Sequence, residues 1–149
     1  MRPVYGSNFE RYIAMTIKQL SVFLENRTGG INDVARILGA NGINMSAFCI
    51  AESGDFGIMR VIVSDIELAR KELRENHFAV NVTDVIALNC PNTAGSLSEI
   101  LEVLAAADVF IEYMYAFSRG DTASVVIRPT DINKCLEVLR TGGFDLITA

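Results

Sequence analysis

The amino-acid sequence predicts the α+β class, with two copies of one β-α-β-β-α-β unit in tandem. Three observations carry that prediction. The chain matches itself at a constant offset of 66 residues. Apolar spacing switches between the two-residue period of strands and the longer period of helices, in the same order in both halves. Glycine turns fall at corresponding places in each copy.

The offset pairs Asn26 with Asn92, Gly29 with Gly95, Leu38 with Leu104, Gly54 with Gly120, Asp65 with Asp131, Leu73 with Leu139 and Phe78 with Phe144, with no gap from residue 26 to residue 80. In the first copy IKQLSVFL (17–24) alternates as a strand, with Leu20, Val22 and Leu24 on one face. Residues 29–41 place Ile31, Val34, Ile37 and Leu38 at helical spacing. Asn26 or Thr28 stands where an N-cap is wanted, and Gly42 where a helix ends at positive φ. INMSAFCIAE and FGIMRVIVS read as strands joined by a hairpin at Ser53-Gly54-Asp55. Asp65 caps a second helix, IELARKELREN, and FAVNV closes the unit.

The second copy repeats this order: VIALNC, a helix over 95–107, VFIEYMYAFS, a turn at Arg119-Gly120-Asp121, ASVVIRP, a helix over 132–141, and FDLIT. This is the split βαβ, ferredoxin-like plan. The division that follows is an extension over 1–14, set off by a second methionine at Met15, then one repeat over 15–82 and another over 83–149. A unit of this size buries little core alone. The short join at Thr83-Asp84 makes the halves neighbours, and side by side they can share one sheet.

Half of the 149 residues are hydrophobic, which favours a packed core over disorder. A net charge of -5 without a basic patch argues against nucleic acid. No run approaches the roughly 18 apolar residues of a membrane span, and the N-terminus lacks the apolar stretch of a secretory signal. The three cysteines, Cys49, Cys90 and Cys135, are scattered and form no CxxC pair. They read as small buried hydrophobes in a reducing cytoplasm. With His77 the sole histidine, no metal site is expected.

The same inventory argues against catalysis and against a cofactor. No Lys-Ser/Thr follows either glycine turn, so a P-loop is excluded. No GxGxxG stands between a strand and a helix, and no serine or cysteine has a histidine in motif relation to it. His77 ends a helix where the other copy has Gly143, and reads as a solvated or capping residue. Glu67, Glu72 and Glu75 alternate with Arg70, Lys71 and Arg74 as a solvated helix surface.

NRTGGINDVARILGANGINM (26–45) resembles the signature of the ACT domain, in which an acidic or amide residue and a Pro/Thr-Gly turn open the first helix and GIN ends it. NTAGSLSEILEVLAAADVFIEYMYAF (92–117) resembles a second ACT copy, with Asp108 and Phe110 where the family prefers Gly and Asn. The resemblance covers residues 17–148. It implies a regulatory, amino-acid-binding module whose units pair into an eight-stranded sheet with helices on one face. It also implies an effector at the junction of units, touching the first strand–helix turn of one and the second strand of the other. Most members are joined to an enzyme or a transcription domain. A stand-alone tandem chain implies control in trans, on a partner enzyme.

The chemistry of the turns agrees with that implication. A helix N-terminus offers unsatisfied N–H groups and partial positive charge. A carboxylate fits the amides near Gly29, Gly30 and Ile31, and those near Gly95, Ser96 and Leu97. Gly29 and Gly95 lack a Cβ and permit close approach. Asn26 and Asn92 supply amide groups. Asn44, Ser46 and Glu112 on the second strands complete the polar shell, Glu112 facing an ammonium. Met45 and Ile111 lean toward an apolar amino acid. Thr28-Gly29-Gly30 is the more open turn, and Ala94-Gly95-Ser96 adds a hydroxyl. The alternative is that the glycines only make turns and the asparagines only cap helices.

On the sheet face away from the helices, Phe23, Phe48, Ile50, Ile58 and Ile62 in copy one, and Phe110 and Met114 in copy two, are expected to form an apolar surface interrupted by Gln19, Arg60, Asn89 and Arg128. Such a surface calls for a partner, and a homodimer is expected. Tyr113, Tyr115 and Phe117 are expected to alternate into the core under the helices. Three functions compete: an amino-acid sensor; a non-catalytic scaffold or subunit docking on an enzyme through that face; and a small enzyme using Tyr113, Glu112 or Cys49.

Overall fold

The computed structural model describes residues 15–25 and 28–148. The chain forms two compact units, one of residues 18–83 and one from Asp84 onward, with Met15 packed on the second unit's core. In the first unit β1 (Ile17–Glu25) leads into α1 (Gly30–Ala40), β2 (Met45–Ser53) and β3 (Phe56–Val63) form a hairpin, and α2 (Ile66–Glu75) follows. The second unit runs through α3 (Ser96–Ala106), β5 (Ile111–Arg119), β6 (Thr122–Pro129), α4 (Ile132–Thr141) and β7 (Asp145–Ile147). Between α2 and α3 lies β4 (Val80–Pro91), one uninterrupted strand where two were expected on either side of Thr83-Asp84. Nothing at that join breaks extended backbone: it holds no glycine or proline. The described residues therefore contain seven strands and four helices.

In the first unit β3 lies between β2 and β1, antiparallel to both. The Phe23 N–H donates to Ala79 O at 3.0 Å, bringing the segment before β4 to the other side of β1. In the second unit β6 lies between β5 and β4, and β7 pairs with β4, again antiparallel. Each unit thus has the ferredoxin-like strand order. Leu20, Val22, Met59 and Val61 meet Val34, Leu38, Ala69 and Leu73 in the first core. Ile86, Leu88, Val125 and Ile127 meet Ile100, Leu104, Leu136 and Leu139 in the second. Burying such side chains supplies most of the stability.

The helices begin in two different ways. Asp65 and Asp131 accept from the Leu68 and Lys134 N–H groups at 3.1 Å each, as caps should. The helices α1 and α3 instead start from Gly29 and Gly95, both at φ 91°, with no side-chain cap. The expected cap at Thr28 is not made, because a left-handed glycine occupies the cap position itself. Asn26, the other candidate, lies outside the described residues. Gly42 ends the α1 region at φ 68°, as expected, and its counterpart Asp108 adopts φ 57°. The Lys134 ammonium donates to Asp108 O at 3.2 Å.

The faces of the sheets differ in part from expectation. Directly paired residues point to the same side. Phe23 pairs with Ile58, opposite the core-facing pair Leu20 and Val61, so Phe23, Ile58 and Ile62 do lie on the helix-free face. Phe48 and Ile50 pair with Val61 and Met59 and so lie on the helix side, exposed only because β2 is an edge strand. Met114 pairs with Ile127 and packs on the second core. Tyr113, Tyr115 and Phe117 pair with Arg128, Val126 and Ser124 and point away from the helices. The cause is a register shift between Ile111 and Tyr113, which leaves Glu112 as an extra residue and changes the parity of all that follows.

Only Cys135, on α4, is fully buried; Cys49 on β2 and Cys90 on β4 are half-buried, Cys90 against the edge of the second core. Burial pushes the Cys135 thiol up to about 11, and the nearby Asp131 charge adds to the rise. Because the folded pKa is raised, the stability this thiol contributes is complete below the unfolded value of 9.0 and is lost as pH climbs to about 11. A urea midpoint that falls over that window, and falls less in Cys135→Ala, is the expected result. At pH 8 a disulfide reagent should label Cys135 only after denaturation.

Candidate functional site

The first strand–helix turn sits between two recesses of the first unit. The larger, of about 430 Å³, is lined by residues of β1, of the α1 N-terminal turns and of the 76–79 segment after α2. The smaller, of about 210 Å³, lies against Ile50 and Glu52 of β2 and the Gly54–Gly57 hairpin. Leu24, Glu25, Gly30 and Phe56 line both. The register explains the meeting: β3 returns from the hairpin turn beside the end of β1, pairing Phe56 with Glu25.

Phe23 and Phe56 are 45% and 58% exposed, large apolar surface left open at a recess. Around them stand Glu25, Asp33, Arg36 and His77. The Arg36 guanidinium donates to Asp33 Oδ1 at 3.2 Å across an exposed turn of α1. His77 occupies the left-handed position after α2 at φ 68°, matching Gly143 at φ 74° in the other copy. It therefore ends its helix as expected, and it also lines the recess. Thr28 and Ile31 are exposed and Gly30 is buried, its amide at the start of an uncapped helix.

At the second turn the polar groups bond to one another and to the neighbouring hairpin. Asn92 donates from its side chain to Gly120 O at 2.9 Å and from its backbone to Asp121 O at 2.8 Å. The Thr93 and Ser96 hydroxyls are 2.8 Å apart, and the Ser96 N–H donates to Thr93 O at 3.2 Å. Ala94, Gly95 and Leu97 are exposed.

The second-strand candidates stand apart from these turns within each unit. Met45 pairs with Val63, whereas Ser53 pairs with Phe56 beside the turn. Eight residues of strand, roughly 26 Å, separate the two ends. Asn44 exchanges hydrogen bonds with Ser64: its N–H donates to the Ser64 hydroxyl at 2.9 Å and its carbonyl accepts from the Ser64 N–H at 3.0 Å. The Ser46 hydroxyl donates to Ile62 O at 3.2 Å. Met45 and Ile111 pack on their own cores. Glu112 lies 3.7 Å from the Arg128 guanidinium, so it already faces a cation. The residues that do meet the first turn, Phe23, Glu25, Arg36, Glu52, Phe56 and His77, were not singled out from sequence as ligand contacts. The signal lay in the hairpin: its turn must sit at the end of the sheet where β1 meets α1.

Among the described residues no group of His, Cys, Asp and Glu is placed to hold a metal. No helix there is long and apolar enough to cross a membrane.

The chain matches the family model described as the ACT domain pair over residues 15–148. No curated protein matches it. It is similar to protein BT0572 from Bacteroides thetaiotaomicron, at 53% identity over 91% of this chain and 94% of that one, with a TM-score of 0.88. It shares its fold with the regulatory subunit of aspartate kinase from Thermus thermophilus, at 13% identity over 85% and 92% of the two chains and a TM-score of 0.62. The corresponding subunit from Thermus flavus gives 14% identity, 85% and 92% coverage and a TM-score of 0.58.

Proposed function

Since the chain belongs to the ACT domain pair family, we propose that it is a regulatory protein that binds an amino acid at its strand–helix turns. One observation carries this reading. Of the four helices among the described residues, two are capped by aspartates, while the two that open the repeats start at a left-handed glycine with no side-chain cap. An anionic ligand is the natural partner for amides left in that state. In this reading the ligand sits at the interface of ACT units, and the chain acts without catalysis, in trans, on a separate enzyme. The fold neighbour from Thermus thermophilus, described as a regulatory subunit, supports that arrangement by analogy.

A panel of the twenty amino acids in a thermal-shift assay tests the proposal. At least one, at millimolar concentration, should raise the melting temperature by several degrees, since ligand at about 100 times its Kd adds about 2.7 kcal/mol. Gly29→Ala should reduce that shift: the added methyl meets no atom within 4 Å, but φ 91° suits only glycine well. No shift with any of the twenty counts against the reading.

A second reading rests on the helix-free sheet face of each unit. Phe23 on the first unit's face and Phe117 on the second's are 45% and 57% exposed, although Gln19 on the former and Ala87 on the latter are buried. A homodimer, or a scaffold docked on an enzyme, covers them. Light scattering at micromolar concentration separates the two, a monomer mass removing the dimer.

A further inference from the structure

We propose that residues 1–14 are the cover of the second unit's helix-free sheet face, laid as a short amphipathic helix over Val85, Ala87 and Val126. The proposal rests on burial and is independent of the amino-acid-binding reading.

The strand register sets out that face row by row. Tyr115 pairs with Val126, Val126 with Ala87, and Ala87 with Ile147, so one apolar row crosses all four strands of the unit. In the next row Phe117 pairs with Ser124, Ser124 with Asn89, and Asn89 with Asp145. Both rows point away from Ile86, Leu88, Val125 and Ile127, which meet α3 and α4 in the core. A face without helices should be wet in both rows. Phe117 and Asp145 are indeed exposed, yet Val85, Ala87 and Val126 are at most 6% exposed and belong to neither core. A cover therefore lies over the first row and stops short of the second. These side chains are buried within one chain, so the cover belongs to that chain.

The segment before β1 is placed and built for this. Met15, the first described residue, packs on the second unit's core, so the residues before it leave from this unit. Fourteen residues reach about 45 Å when extended, and a row of four strands is only about 14 Å wide. In MRPVYGSNFERYIA, Ser7 and Glu10 have the spacing of a capping box. Phe9, Tyr12 and Ile13 follow at i, i+3 and i+4, with Arg11 on the opposite side. That stripe removes the apolar row from water. So short a helix does not hold alone, and it can leave the face without opening either core. A partner of this face must displace it first.

Thiol labelling of the full chain tests this. Ala87→Cys puts a thiol in the covered row, and peptide masses separate its labelling from that of Cys49 and Cys90. Adding Phe9→Asp and Ile13→Asp should speed labelling at position 87 about tenfold or more, since the thiol no longer waits for the segment to open. Cys135 should stay unlabelled in both proteins, which shows the second core intact. Equal rates at position 87 with Cys135 protected overturn the proposal. A double-mutant cycle reads the same contact without added charge: Ile13→Ala and Val126→Ala together should cost less stability than the sum of the two. Strict additivity overturns the proposal.

Discussion

Leu38→Ala will lower the unfolding free energy by about 3 kcal/mol, within the span measured for buried leucines. Leu38 is 1% exposed and packs in the first core with Val34, Met59 and Leu73. It is also the residue whose carbonyl accepts from the Asn41 and Ile43 N–H groups at the end of α1. Removing its side chain leaves a cavity beneath the helix that carries the candidate turn. Ile31→Ala, on the same helix but 47% exposed, should change stability by about 0.5 kcal/mol or less. Urea unfolding measures both. A loss at Ile31 equal to that at Leu38 would mean that Ile31 is covered in solution, by ligand or by another chain.

The second large effect is expected at Gly142→Ala. Gly142 has an ordinary helical backbone, φ -73°, so conformational strain is not the issue. A methyl there would lie 2.8 and 3.1 Å from atoms of the Phe144 ring and 3.3 Å from Val138 O. Phe144 packs on the second core, so the ring cannot swing away freely. A loss of about 1 to 3 kcal/mol should follow. Gly142→Ala combined with Phe144→Leu should lose less than the sum of the two single changes, since the smaller side chain removes the clash. The first copy has both a Cβ, at Asn76, and the matching ring, Phe78, so the cost measures how firmly the second core holds the Phe144 ring in its own position.

Much of this fold was legible in the residues. Asp65 and Asp131 announced two helix starts because a short acidic side chain reaches the N–H three residues on. The Gly54-Asp55 and Gly120-Asp121 hairpins were legible because glycine takes φ near 60° without strain. The 66-residue repeat carried the order of elements from one half to the other. Less of the candidate site was legible. Thr28, Gly29, Gly30 and Ile31 were picked for their helix N-terminus, a local property. Arg36 lies on the same helix and escaped notice because nothing local marks it as facing a recess. Phe23, Phe56 and His77 come from three other segments, brought together by strand pairing.

What the sequence determined by itself is what nearest neighbours along the chain control: the order of helices and strands, which turns need glycine, and that one unit was written twice. The tertiary structure alone decided which side of a strand is which. Tyr113, Tyr115 and Phe117 alternate faultlessly, yet the register shift at Glu112 turns them away from the helices. Alternation defines two faces and cannot choose between them; one extra residue exchanges them. The structure also decided what the second turn bonds to. Asn92 reaches Gly120, 28 residues away, and such a bond depends on where the hairpin lands rather than on any spacing in the chain. Identical glycines at φ 91° therefore take their surroundings from the hairpin beside them, where the first hairpin places Phe56 and the second Thr122.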